Sequence, residues 1–215
     1  RPFVALQGPA KGQGIPFELG QKHVICTPHP PSGRLYCTAG DYSTAHSAQS
    51  YTQETWSLSL AERWAKPLDR SAGWRLEYPY CGPAGSIQPK HPDFVGWAWD
   101  AKRNLFWMVP GVMEATAAEI CPGETTTRTT DLPTATTAGY LHDRLMTFDP
   151  AAPVATRWAN VWPPGLDYAE TWMTVLDPVR DRLIRMGFNG SNGGVFNVYE
   201  IPGKSWWRGG LGLNA

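Results

Sequence analysis

The sequence has no surplus of either charge: 19 lysine and arginine side chains stand against 19 aspartates and glutamates. Nucleic-acid binding draws much of its affinity from neutralising phosphates, so a balanced chain without a basic run argues against that class. The nearest approach to such a run, Arg180, Arg182 and Arg185, is interrupted by Asp181. No apolar stretch reaches the ~18 residues that a membrane-spanning helix needs. Charged residues are scarce altogether, at 18%, against a usual ~25%. Catalytic signatures are missing as well: there is no Gly-x-Ser-x-Gly elbow, no Walker-type phosphate loop and no His-Glu-x-x-His. The five histidines (His23, His29, His46, His91 and His142) sit apart, and His142-Asp143 reads as a solvated pair at a loop end.

What the chain does have is aromatic bulk and punctuation. Its 215 residues include 11 Trp, 8 Tyr and 7 Phe, which must pack against something and which exclude a disordered chain. The 22 Gly and 20 Pro are scattered, the pattern of many turns between short strands rather than of long helices.

One layout occurs three times. His23-Val24-Ile25-Cys26-Thr27 is followed by a Pro/Ser/Gly turn and Leu35-Tyr36-Cys37-Thr38-Ala39-Gly40. Phe94-Val95-Gly96-Trp97-Ala98-Trp99-Asp100 is followed by a turn at 101–104 and Leu105-Phe106-Trp107-Met108-Val109. Thr171-Trp172-Met173-Thr174-Val175-Leu176-Asp177 is followed by a turn at 178–182 and Leu183-Ile184-Arg185-Met186-Gly187. Each is a hairpin of two apolar runs, nearly continuous as in strands covered on both faces. The leucine after each turn (Leu35, Leu105, Leu183) serves as the repeat marker. Between markers come an alternating third strand (Thr55-Trp56-Ser57-Leu58, Leu145-Met146-Thr147-Phe148, Val195-Phe196-Asn197-Val198-Tyr199) and a tryptophan-bearing fourth (Trp74-Arg75-Leu76-Glu77, Trp158-Ala159-Asn160-Val161, Trp206-Trp207).

Consecutive four-stranded units are the signature of an all-β propeller. The turn followed by a Leu-aromatic strand, the closing glycines Gly40, Gly111 and Gly187, and the later tryptophan resemble kelch and galactose-oxidase-type propellers across residues 23–207. The double glycine usual in kelch second strands is replaced by Gly40-Asp41, Pro110-Gly111 and Gly187-Phe188. The resemblance implies about three blades, at 23–90, 91–167 and 168–215. Residues 1–22 form an N-terminal segment in which Phe3-Val4-Ala5-Leu6 is expected to be an outer strand of a preceding blade. Three blades do not close a ring, since propellers carry about four to eight, so the chain is expected to be part of a larger ring. A copper-radical site of the oxidase kind is not carried over, because Tyr36 and Cys37 are neighbours on one strand and point to opposite faces.

The expected core is Val24, Cys26, Leu35, Trp97, Trp99, Leu105, Trp107, Trp172, Leu183 and Ile184. The flat indoles of Trp97, Trp99, Trp107, Trp172, Trp206 and Trp207 suit sugar stacking, but packing between blades is the simpler use for them. Cys26 and His29 have C-x-x-H spacing without a second ligand pair, so no metal site and no cofactor are expected. Four cysteines fit two disulfides or four buried thiols. Cys26 and Cys37 sit symmetrically about the first turn, but Cys81–Cys121, in or beside long connections, is the pairing favoured here. Asn189-Gly190-Ser191 is an N-glycosylation sequon, and equally a tight turn. Residues 112–140, rich in threonine, make a connection too long for its local task, which reads as a partner-binding arm or a polar insertion.

With no convergent acid, base and nucleophile, the expected function is a non-enzymatic structural or protein-interaction module, extracellular or virion-associated. Its expected partners are other protein chains or the missing blades, with carbohydrate as a further option. Two rivals remain: a fragment of a galactose-oxidase-like enzyme, and a sugar-binding propeller lectin completed by oligomerisation.

Overall fold

The computed structural model describes residues 25–38, 54–69, 71–79, 82–83, 96–109, 145–161, 170–189 and 193–210. They are almost entirely β. Sheet 1 contains β1 (Ile25–His29), β2 (Arg34–Thr38), β3 (Thr55–Ser59) and β4 (Trp74–Tyr78). Sheet 2 contains β5 (Gly96–Asp100), β6 (Leu105–Val109), β7 (Met146–Phe148) and β8 (Trp158–Asn160). Sheet 3 contains β9 (Glu170–Asp177), β10 (Arg182–Asn189), β11 (Gly193–Glu200) and β12 (Ser205–Gly210). In every sheet the strands lie in sequence order and pair antiparallel. The single α-helix among the described residues is α1 (Leu60–Ala65), one and a half turns long. Its N-cap Ser59 accepts the Glu62 backbone N–H.

The first strands are neighbours, β1 beside β5 and β5 beside β9. Sheet 2 is therefore covered on both faces. Because side chains alternate along a strand, each sheet has a trailing face, toward the preceding sheet, and a leading face, toward the next. Between sheets 1 and 2, Tyr36 and Tyr78 pack on the trailing-face residues Trp97, Phe106, Phe148 and Trp158. Between sheets 2 and 3, Trp107, Val109 and Leu145 pack on Leu183, Tyr199 and Ile201. Strands with two covered faces have no need of polar alternation, which explains why β6, Leu-Phe-Trp-Met-Val, is apolar at every position.

The registers align the three repeats. All three hairpins have a four-residue turn whose last residue is left-handed: Gly33 (φ 65°), Asn104 (φ 56°) and Asp181 (φ 58°). Glycine, asparagine and aspartate tolerate that conformation best. The leucine marker is thereby corrected. Leu35 and Leu183 are second in their strands, whereas Leu105 is first in β6, and Phe106 holds the equivalent place. The true repeat is a cross-strand row on the trailing face. It reads Pro28–Leu35–Leu58–Trp74 in sheet 1, Trp99–Phe106–Phe148–Trp158 in sheet 2 and Leu176–Leu183–Tyr199–Trp206 in sheet 3. Each row ends on the fourth-strand tryptophan.

Of the expected core, Trp97, Trp107 and Leu183 are buried, and Leu35, Trp99, Leu105 and Ile184 are half-buried. Cys26 is exposed, a correction: it sits on the trailing face of sheet 1, which neither inter-sheet core reaches. Val24 and the side chain of Trp172 lie outside the described residues.

Candidate interaction surface and the clamps between sheets

The hairpin turns hold the sheets together. Asp100 ends β5 and is buried; its Oδ1 accepts the backbone N–H groups of Lys102 (3.0 Å) and Arg103 (3.1 Å). Its Oδ2 accepts from Arg103 Nη1 at 2.8 Å and from the Trp107 indole at 3.0 Å. This turn lets the aspartate replace missing backbone acceptors, as aspartates at turn starts do. Asp177 repeats it, accepting from the backbones of Val179 and Arg180 and from Arg180 Nη1 at 3.2 Å. In sheet 1 the same two positions are His29 and Ser32, with His29 Nδ1 2.7 Å from Ser32 Oγ.

The second turn reaches back to the first across the gap between sheets. Asp181 receives Arg103 in fork geometry, Nη1–Oδ1 2.6 Å and Nη2–Oδ2 2.7 Å, and also Lys102 Nζ at 2.7 Å. Hydrogen bonds from Arg103 and then Lys102 hold the Asp181 carboxyl well below the usual carboxylate range, and the bond to Asp181 leads the effects that raise the Arg103 guanidinium. Two-pronged arginine–carboxylate pairs fix orientation as well as adding energy.

Sheets 1 and 2 are joined by other means. Thr27 Oγ1 donates to the Trp97 carbonyl at 2.8 Å, and the Trp97 indole donates to the Tyr36 carbonyl at 3.1 Å. Arg157 of sheet 2 bonds the buried Glu77 of sheet 1 at Oε2, 3.1 Å, and at its carbonyl oxygen. His29 is enclosed edge-on by Trp99 (4.3 Å) and Tyr36 (5.2 Å). Burial lowers its pKa, an effect that the nearby Glu77 partly offsets. Asn104 approaches the ring from the β5–β6 turn but makes no well-formed hydrogen bond with the buried Nε2.

The trailing face of sheet 3 is thus filled. Its leading face is not. By register this face carries the rows Val175–Ile184–Val198–Trp207 and Met173–Met186–Phe196. Met173 is 46% exposed, Val175 45%, Met186 36% and Trp207 43%. Phe196 and Trp207 meet edge to face at 6.2 Å. One end of the face is charged, with Arg182 Nε 2.8 Å from Glu200 Oε1 and Asp177 alongside. Contiguous exposed apolar surface with a polar border marks a binding site more often than a free surface.

The expected site residues divide as follows. Cys26 and Cys37 are directly opposed in the β1–β2 register and form a disulfide with a Cα–Cα distance of 4.1 Å. Direct opposition in an antiparallel pair brings the Cα atoms this close; the bond leaves the expected Cys81–Cys121 pairing untouched, since the two are compatible. Cys81 and Cys121 lie outside the described residues, as do the arm at 112–140, the segment 1–22 and His142-Asp143. Asn189 ends β10, paired with Gly193; its side chain lies outside the described set. The C-x-x-H pair does not converge, since Cys26 and His29 point to opposite faces of β1. Among the described residues no group of three or more His, Cys, Asp or Glu side chains is placed to hold a metal ion. No described helix is long and apolar enough to cross a membrane. Trp97, Trp99, Trp107 and Trp206 belong to the inter-sheet cores. The Asp-x-x-Arg turns escaped the sequence reading, although Asp100-Ala101-Lys102-Arg103 and Asp177-Pro178-Val179-Arg180 were legible as a repeated spacing.

No known family model matches the sequence, and comparison with curated proteins finds no match.

Proposed function

We propose that the chain is a non-catalytic structural and protein-interaction module built from kelch-like propeller blades, which presents the leading face of sheet 3 to another protein. The observation that carries this is that face itself. Met186 corresponds to Thr38 and Val109, which are fully buried in sheets 1 and 2, yet it is 36% exposed. Val175 beside it is 45% exposed, while Val198 in the same face is buried. The Arg103–Asp181 fork, the Arg157–Glu77 pair and the Thr27–Trp97–Tyr36 bonds tie the sheets to one another, which suits a rigid platform. The Cys26–Cys37 disulfide fits an oxidising compartment, such as the extracellular space or a virion surface.

Light scattering across a concentration series tests the reading. Wild-type chain associates reversibly, and Val175→Glu/Met186→Glu does so far less. A wild type that stays a single chain at every concentration, while releasing peroxide from an alcohol or sugar, overturns it in favour of the oxidase fragment.

A further inference from the structure

The strands of each sheet run antiparallel in sequence order. The β1–β2 and β3–β4 connections therefore leave sheet 1 at one end, and the matching connections leave sheets 2 and 3 in the same way. The Arg103–Asp181 fork and the approach of Asn104 to His29 bring these ends side by side. One end of the described molecule thus carries residues 30–33, 60–69, 71–73, 101–104, 149–157, 178–181 and 201–204. The most exposed large apolar side chains among the described residues are all here: Leu68 at 97%, and Trp64 and Val179 at 88% each.

The fold makes no use of the first two. The helix α1 has no buried residue, and six residues are too few for a helix to hold itself in water. Hydrogen bonds hold it instead. The Ser59 N–H donates to the Gly73 carbonyl at 2.8 Å, closing the base of the outgrowth. Arg63 Nη1 donates to the Asp69 carbonyl at 2.6 Å, which ties the turn bearing Leu68 back to the helix. The corresponding connections of sheets 2 and 3 span only 149–157 and 201–204, so a four-stranded sheet does not require the outgrowth.

The charges at this end are sorted by depth. The Asp100, Asp181 and Asp177 side chains are taken up by the turns, at 1%, 13% and 19% exposed. The cations paired with Asp181 and Asp177 stand outside them, Lys102 at 67% and Arg180 at 66%. Each pair is a dipole with its positive end toward solvent. Lys66 and Lys204 are exposed as well. Of the exposed acids, Glu62 has Arg34 3.8 Å away, and Asp69 accepts the backbone N–H and the hydroxyl of Ser71.

We infer that this turn end docks on an anionic phospholipid surface, with Trp64 and Leu68 entering the headgroup layer and Lys66, Lys102, Arg180 and Lys204 facing the phosphates. The apolar tips belong to different sheets. A protein partner would need a separate pocket for each, whereas a lipid layer takes scattered tips without shape matching. Tryptophan suits the membrane–water boundary, and apolar tips combined with Lys and Arg give reversible attachment there. The leading face of sheet 3 takes no part, so this contact stands apart from the reading above.

Flotation with vesicles tests this. The chain floats with phosphatidylcholine/phosphatidylserine vesicles at low salt, far less at high salt, and stays behind with phosphatidylcholine alone. Trp64→Ser/Leu68→Ser and Lys66→Glu/Lys204→Glu each weaken partitioning at least ~tenfold, through lost apolar burial and reversed charge respectively. All four positions are exposed, and circular dichroism matching wild type confirms that the variants are folded. Acyl-chain-brominated lipid in the same mixture quenches wild-type fluorescence more than that of Trp64→Phe, because Trp64 is the indole that reaches it. No flotation with the phosphatidylserine vesicles at low salt overturns the inference and leaves the turn end to a protein partner. Flotation that neither double variant weakens, or quenching equal in wild type and Trp64→Phe, overturns it by placing the lipid contact elsewhere.

Discussion

Asp181, in the β9–β10 turn, takes both guanidinium nitrogens of Arg103, in the β5–β6 turn, at 2.6 and 2.7 Å. The pair joins sheets 2 and 3 at their turn ends, where the apolar core between them stops. Asp181→Asn keeps the shape and loses the charge, and is expected to cost ~1–2 kcal/mol in urea unfolding, the usual worth of a charge-assisted hydrogen bond. The folded pKa of Asp181 is depressed, so its contribution is present above the unfolded value of ~3.9 and is lost as pH falls through the folded value. The acid limb of the stability curve is therefore shallower in the variant.

His29 gives the opposite chemistry at the corresponding turn. Its folded pKa is lowered by burial, so below the unfolded value of ~6.5 the unfolded chain binds a proton that the folded chain refuses. Stability is expected to fall as pH drops from 6.5 toward the folded pKa. His29→Gln should remove that slope, as followed by thermal unfolding at several pH values. An unchanged slope would place its source elsewhere.

Trp97 stacks on Phe106 with centroids 4.7 Å apart and planes 3° from parallel, and donates to Tyr36 across the gap. Trp97→Ala is expected to cost ~3–5 kcal/mol, the range for a large buried aromatic. Trp99, half-buried at the edge of the same core, should cost less. Equal losses in denaturant titrations would contradict the central place of Trp97, and the marginal place of Trp99, in that core.

Cys26 and Cys37 are 11 residues apart in sequence. Closing so short a loop restricts the unfolded chain by up to ~3 kcal/mol. Reductant or Cys26→Ala/Cys37→Ala should lower the unfolding midpoint accordingly. Non-reducing peptide mapping should recover the 26–37 linkage.

Gly73 has φ +81°, and a Cβ there would lie 2.5 Å from the Ser59 carbonyl oxygen. Gly73→Ala is thus expected to destabilise by ~1–3 kcal/mol through backbone strain. It would also disturb the bond from Arg34 Nη2 to the Gly73 carbonyl. A neutral result in thermal unfolding would count against the path of the chain from α1 into β4.

The strands were legible because apolar runs, turn residues and the recurring tryptophan agree; Trp74, Trp158 and Trp206 do end equivalent rows. The leucine marker misled by one place in β6. Leucine and phenylalanine serve equally well on a strand covered on both faces, so composition alone cannot tell Leu105 from Phe106. Cys26 was expected in the core because its strand reads as apolar, but no described sheet packs on that face, and Cys26 lies at its exposed edge strand. The clamps were hidden for a related reason. Arg103 and Asp181 are 78 residues apart, and only the stacking of two turns brings them together. The exposure of Val175 on sheet 3 also cannot be read locally, because Val175 and Ile184 look like core by composition, and only the stacking shows that no described sheet packs on them.

Methionine oxidation bears most directly on the stacking. Met108 and Met146 lie in the core between sheets 1 and 2, each 1% exposed, while Met173 and Met186 lie on the open face of sheet 3 at 46% and 36%. Dilute chain treated with peroxide, quenched and mapped by mass should show fast oxidation at Met173 and Met186 and almost none at Met108 and Met146. Protection of the first pair should appear as concentration rises. Oxidation of Met108 or Met146 at the rate of Met173, or full protection of Met173 and Met186 in the dilute chain, would contradict the arrangement of the three sheets.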